Sequence, residues 1–304
     1  MTALRAASPL NLRGSEAVPL VTGLVAKRLG TAGVDALIIK GLAAELQGLR
    51  AARTYADVDV IAHPAAAQRA ISALAKEGWQ PRVTLWTADK LEMHSVTLVH
   101  ERWPCDIDVH HRFPGFLAPP GEVFDLLWQR REQIEVAHSP AFIPDTAASA
   151  AILGLHGLRK PNAPRSKVEL GQLVERLRRD SALGAEVVQF AARAGCSETL
   201  APVLLAAGLP VAPGRVGDKR ALRDWHRRTS VESRTGRWLS YLGGVPWQNR
   251  PRELAKLLWP PQESLLQEHP EWIGHNLTAS RVHRVLRGAL DGLRLITKRP
   301  AGRS

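Results

Sequence analysis

The chain has 304 residues, 45% apolar and 23% charged, a balance that excludes disordered and fibrous classes and allows a sizeable core. Two cysteines, Cys105 and Cys196, are too few for a disulfide framework or a thiolate zinc site. With no signal-like apolar stretch near the start and no run of the roughly 18–20 residues a membrane span needs, the expectation is a soluble, cytoplasmic protein without membrane insertion.

In chain order, VDALIIK (34–40) is a compact apolar run that predicts a buried strand. GLAAELQG (41–48) follows at once with helix formers and a closing glycine. DVDVIA (57–62) alternates with period two, as a strand does. PAAAQRAISALAKEG (64–78) reads as a helix with proline near its start and glycine past its end. Strands are then predicted at RVTLW (82–86), HSVTLV (94–99) and CDIDVHH (105–111), with ERWP (101–104) as a turn. This order predicts an α+β fold, a small mixed sheet backed by helices. Beyond about residue 140 the predicted elements are helices, separated by the proline-rich loops 160–166 and 208–217.

The division suggests a domain over 1–140 and a helical domain over 141–304. Charge follows it. Residues 1–150 carry 15 Lys+Arg against 16 Asp+Glu, a net of −1, whereas 151–304 carry 26 against 13, a net of +13. A basic half suits a polyanion such as a nucleotide, an RNA or an acidic lipid surface; the alternative is a solvated, arginine-rich surface.

Residues i and i+2 of a strand share a face, so Asp57 and Asp59 project together. By the same rule Asp106, Asp108 and His110 share a face, opposite Cys105, Ile107 and Val109. If the two strands are neighbours, their carboxylates converge, and like charges at one spot disfavour each other's ionisation. A hard divalent cation held by oxygen ligands removes that conflict. The alternative is aspartates salt-bridged at the surface. Upstream, Lys40-Gly41 stands where a strand passes into a helix, a place where backbone N–H groups and a lysine could meet a phosphate.

Together these segments resemble the polymerase-β-like nucleotidyltransferase superfamily. The closer resemblance is to an uncharacterised bacterial nucleotidyltransferase family that reads roughly LKGxAL…RxxxDxDL…GY…H…VELH. The counterparts are Ile39-Lys40-Gly41, Arg53, Asp57-Val58-Asp59, Gly78-Trp79, His94 and Ile107-Asp108-Val109-His110. Asp108 stands where the close family mostly has Glu, and His111 where it has Trp. LLWPPQESLLQEHPEW (257–272) is similar to a proline-marked segment in that family's C-terminal region.

The resemblance implies a palm-like catalytic domain over 1–140 and a helical substrate- or nucleotide-binding domain over 141–304. It implies transfer of a nucleoside monophosphate from an NTP such as ATP to a hydroxyl or phosphate acceptor, with Mg²⁺ or Mn²⁺. Asp57, Asp59 and Asp108 would hold the metal and carry catalysis, and Lys40, Gly41 and Arg53 would bind the nucleotide. His94, Asp106 and His110 are candidates for supporting or acceptor contacts, with buried structural histidines the alternative. A small molecule, sugar phosphate or peptide acceptor is favoured over tRNA. His156, on an apolar helix, reads as core packing. Trp225, Trp238, Trp247, Trp259 and Trp272 interleave with arginines and could stack bases, or belong to the core. The rival from another class is an inactive nucleotidyltransferase-like protein that binds nucleotide or RNA without chemistry.

Overall fold

A computed structural model of the chain describes residues 12–82, 94–213, 219–229, 242–243 and 245–259, with 278, 281–282 and 285–286 beyond them. Residues 83–86 of one expected strand lie outside that set. So do residues 214–217 of the second proline-rich loop, Trp238, Trp272, residues 260–272 of the proline-marked segment and most of the helix expected at SRVHRVLRGALDGLRLI (280–296).

Helix α1 (Gly14–Thr31) precedes the first strand; in the sequence, Pro19 and three glycines dilute its helical pattern. Then come β1 (Ala36–Ile38), α2 (Gly41–Leu46) and β2 (Asp57–Ala62). A short 3-10 turn, Pro64–Ala66, leads into α3 (Ala67–Ala75), followed by β3 (Gln80–Pro81), β4 (Ser95–Val99) and β5 (Asp106–His110). The five strands form one mixed sheet in the order β1-β2-β5-β4-β3, with β2 and β5 parallel at its centre and the other pairs antiparallel.

Strand alternation sorts the two faces of this sheet. Val58, Val60 and Ala62 of β2, with Ile107 and Val109 of β5, join Val21 and Leu29 of α1, Leu74 of α3 and Trp79 in one core. Each fully buried aliphatic side chain there contributes about 1.5–3 kcal/mol. The opposite face carries Asp57, Asp59 and Ile61 on β2 and Asp106, Asp108 and His110 on β5. Ile61 enters a second core with Phe113, Ile152 and Leu155. The acidic face is thus also the one that meets the helical half.

After α4 (Pro120–Gln129), strands β6 (Arg131–Val136) and β7 (Ser139–Pro144) form an antiparallel hairpin that straddles residue 140. Its two-residue loop is Ala137-His138, with φ of 48° and 58°. Such loops usually hold Asn-Gly or Asp-Gly, so the sequence carried no hairpin signal. The hairpin lies close on α1: a Cβ on Gly23 would come within 2.7 Å of the Val136 carbonyl oxygen.

Helix α5 (Thr146–Leu158) is capped by Asp145, whose Oδ1 accepts from Ala148 N at 2.9 Å. It is buried nearly all round, as a central helix must be. Around it pack α6 (Pro164–Arg179), α7 (Ser181–Arg193) and α8 (Ser197–Ala206). Two further helices are α9 (Lys219–Thr229) and α10 (Arg250–Leu258). Trp225 of α9 is part of the second core, whereas Trp247 and Trp259 are exposed. The whole is an α+β fold, as the sequence predicts. Among the described residues, no helix is long and apolar enough to cross a membrane.

Candidate active site

The parallel pairing of β2 and β5 sets Asp57 opposite Asp106 and Asp59 opposite Asp108. On the far side of β5, β4 places Thr97 opposite Asp108 and Ser95 opposite His110. Three ligand-bearing side chains, Asp59, Asp108 and His110, each bring one donor atom within 4.8 Å of the others. Two oxygens and an imidazole nitrogen suit a divalent cation. Asp57 stands one strand position pair away, at the exposed start of β2.

Asp59 is 7% exposed, and its Oδ1 takes two partners, Lys40 Nζ and His110 Nε2, the latter at 2.9 Å. Burial works to raise the Asp59 pKa. The Lys40 ammonium and the His110 hydrogen bond outweigh it and hold the carboxylate well below its usual range. The His110 pKa is lowered too, but here burial is the leading cause, aided by Lys40 against the pull of Asp59 and Asp108. A neutral imidazole facing an ionised carboxylate must carry its proton on Nε2. Its Nδ1 is then a bare acceptor, buried without a hydrogen-bond partner.

Asp57 has its carboxyl pushed up to about 6, by desolvation first and then by the charges of Asp59 and Asp108. The residue lies exposed at the start of β2, so solvent screens part of this shift. Asp108 accepts a 2.5 Å hydrogen bond from Thr97 Oγ1. Asp106 pairs with Arg82 Nη2 at 2.6 Å, which ties it toward the sheet's outer strands.

Lys40 caps α2 with φ of 58° and ψ of −126°, a conformation that glycine adopts more readily. The strain is of the kind that persists where surrounding structure fixes it, here with the ammonium held on Asp59. Gly41 begins α2 as expected, and Tyr55 lies against it: an added Cβ would meet the Tyr55 ring at 3.6 Å. Arg53 does not face Asp57 or Asp59 as an ion-pair partner; its Nη1 bonds Glu169 Oε1 of α6 at 2.7 Å. His94 is buried, 5.5 Å from His110 between ring centroids, with Nε2 3.5 Å from Arg159 Nη1.

Some residues at or near the site had no signal in the sequence. Thr97 is one. His156 of α5, singled out in the sequence as a core residue, also acts here: its pKa is lowered to about 3 by burial and then by Lys40, and it also feels Asp59 and His110. Its Nδ1 is buried without a hydrogen-bond partner. The reading of His156 as a helix core residue fits its desolvation, and Lys40 and Asp59 act on it as well. Only the apolar surroundings were visible in LGLHGLRK.

Among solved structures, an antigenic nucleotidyltransferase-like protein from Paracoccidioides brasiliensis is 12% identical, with a TM-score of 0.38, covering 64% of this chain and 94% of its own. The antibiotic-resistance factor ANT(2'')-Ia is 12% identical, with a TM-score of 0.41, covering 62% of this chain and 97% of its own. A tRNA-processing enzyme is 13% identical, with a TM-score of 0.27, covering 88% of this chain and 80% of its own. No curated protein matches the chain by sequence. The family model described as uncharacterised nucleotidyltransferase matches residues 3–210, well over half of the chain, and the chain belongs to that family.

Proposed function

We propose that this nucleotidyltransferase-family protein is a divalent-metal-dependent enzyme, using Mg²⁺ or Mn²⁺, that moves a nucleoside monophosphate from an NTP to a hydroxyl or phosphate acceptor. The observation that carries the reading is the register of β2 on β5, which puts Asp59 beside Asp108 with His110 in reach. The donor set fits such a cation: Asp59 and Asp108 supply oxygens within 4.8 Å of each other and of the His110 nitrogen, and Asp57 adjoins them. When bound, the cation supplies charge neutralisation for the attacking and leaving oxygens.

The chain's own residues do the rest. Asp57, Asp59 and Asp108 hold the cation. Asp108 takes the proton of an acceptor hydroxyl as its oxygen bonds to the α-phosphorus and the bond to the bridging oxygen breaks, releasing pyrophosphate. With a cation held at Asp59, Lys40 would be free to turn its ammonium to phosphate oxygens beside Gly41. His110, neutral and bonded to Asp59, fixes the orientation of that carboxylate.

The Lys40–Asp59 ion pair is the one observation that favours the rival, a nucleotide binder without chemistry. Two measurements decide. Calorimetric titration of each of the four NTPs should show binding that requires Mn²⁺ and vanishes in Asp57→Ala/Asp59→Ala, whose fold is checked by circular dichroism. Pyrophosphate release with a panel of hydroxyl and phosphate acceptors should then separate wild type from that variant. NTP binding that ignores both metal and aspartates sinks the metal reading; binding without pyrophosphate release for any acceptor favours the binder.

A further inference from the structure

Away from the carboxylates, three arginines converge on one glutamate. Arg50 Nη1, Arg53 Nη1 and Arg165 Nε reach the same oxygen, Glu169 Oε1, at 3.4, 2.7 and 3.4 Å. Arg50 and Glu169 are each 7% exposed. The cluster adjoins the start of α2. Arg50 Nη2 donates to the Gly41 carbonyl at 3.1 Å, and its guanidinium lies 4.9 Å from the centre of the Tyr55 ring that covers Gly41.

A single carboxylate oxygen underserves three guanidinium forks. The Nε groups of Arg50 and Arg53 are buried with no hydrogen-bond partner. Charge is out of balance too: three guanidinium groups meet one carboxylate directly, and Glu45 and Asp59 act on Arg50 only through their fields. Desolvation lowers the Arg50 pKa despite Glu169, and the neighbouring Arg165 adds to the lowering. Buried pairs with leftover cation and unused donors fit an anion richer in oxygens than a carboxylate. Guanidinium forks match phosphate oxygens in pairs.

We propose that Arg50, Arg53 and Arg165 receive the terminal phosphates of a polyphosphate ligand, and that Glu169 stands in for that ligand until it arrives. The identity of the ligand as an NTP rests on the nucleotidyltransferase reading; the arginine site itself does not. Arg50, held by Gly41, stays in place on binding. Arg53 and the exposed Arg165 exchange the Glu169 oxygen for phosphate oxygens. Glu169 therefore sets affinity by competition, lowering it below what three arginines alone would give.

Inorganic tripolyphosphate, titrated by calorimetry into the full chain in EDTA, tests this without the metal site. Wild type is expected to bind it. Arg165→Ala, a change at a side chain 65% exposed, should weaken binding about tenfold, the worth of one charge-assisted contact. Glu169→Gln should tighten it by about as much, and Asp57→Ala/Asp59→Ala should not weaken it. No binding by wild type, or unchanged affinity in Arg165→Ala, overturns the proposal. So does a folded Glu169→Gln that binds no tighter; if that variant melts below the assay temperature, Arg165→Ala decides alone. Tripolyphosphate binding with no metal-dependent NTP binding would keep this site and remove the catalytic reading, and the reverse result would do the opposite.

Discussion

Two charged clusters flank the start of α2, and they are built as opposites. On the sheet, carboxylates outnumber their partners, and Lys40 is the resident cation on Asp59. Where α6 meets the loop before β2, guanidinium groups outnumber their partners, and Glu169 is the resident anion. A buried charge without a counter-ion costs several kcal/mol, so neither cluster can stand with its excess wholly unmet. The sign left in surplus then points to the ligand each would take: a cation at the aspartates, a polyanion at the arginines. A metal–polyphosphate complex carries both.

Removing a resident ion should have the largest effect. Lys40→Ala keeps a Cβ at the positive φ and removes the side chain beyond it with its ammonium, leaving Asp59 buried with His110 alone. Stability should fall by about 3–5 kcal/mol in thermal melts. Added Mn²⁺ should recover more of the melting temperature in this variant than in wild type, because it competes with no lysine. Equal recovery in both would break the idea that Lys40 holds the cation's place.

A smaller effect is expected at Asp57. Its folded pKa, about 6, lies above the unfolded value of 3.8, so the folded state favours the protonated form. The ionised carboxylate therefore weakens the fold above about pH 6, and the penalty disappears as pH falls toward 3.8. In metal-free buffer Asp57→Asn should stabilise the protein at pH 8 by about 1 kcal/mol, reduced by solvent screening at this exposed residue, and by nothing near pH 4. A gain independent of pH would show that ionising the Asp57 carboxyl carries no penalty in the fold.

The smallest effect belongs to Tyr55, which links the two clusters. Its hydroxyl is buried without a hydrogen-bond partner, so Tyr55→Phe should be neutral or stabilising by up to about 1 kcal/mol. The ring's contact with Arg50 persists in that variant. A marked loss of stability on making it would mean that the hydroxyl has a partner and that the junction is arranged differently.

The elements nearest the aspartates were the easiest to read. The alternation of DVDVIA and CDIDVHH and the break at Lys40-Gly41 are local patterns, and the structure has β2, β5 and α2 where those patterns lie. Composition could not supply what depends on distant partners. Helix α1 is masked by Pro19 and its glycines, and the β6–β7 hairpin by a turn of Ala137 and His138. The same holds within the site. Asp57, Asp59 and Asp108 stand out in the sequence, but the pairing of Arg53 with Glu169 spans a long stretch of chain, and those of Asp106 with Arg82 and of Thr97 with Asp108 depend on which strands lie side by side. A lone arginine or threonine announces none of these.

The central strand pair also bears on how the chain assembles. Asp59 and His110 are 51 residues apart in sequence and meet only when β2 lies on β5 in the correct alignment. A slip by a single residue in either strand would turn its acids into the apolar layer beneath the sheet and its valines outward. Misaligned chains would thus be penalised by burying charge before any ligand is involved. The same aspartates that suit a cation act as a proofreading device for the fold.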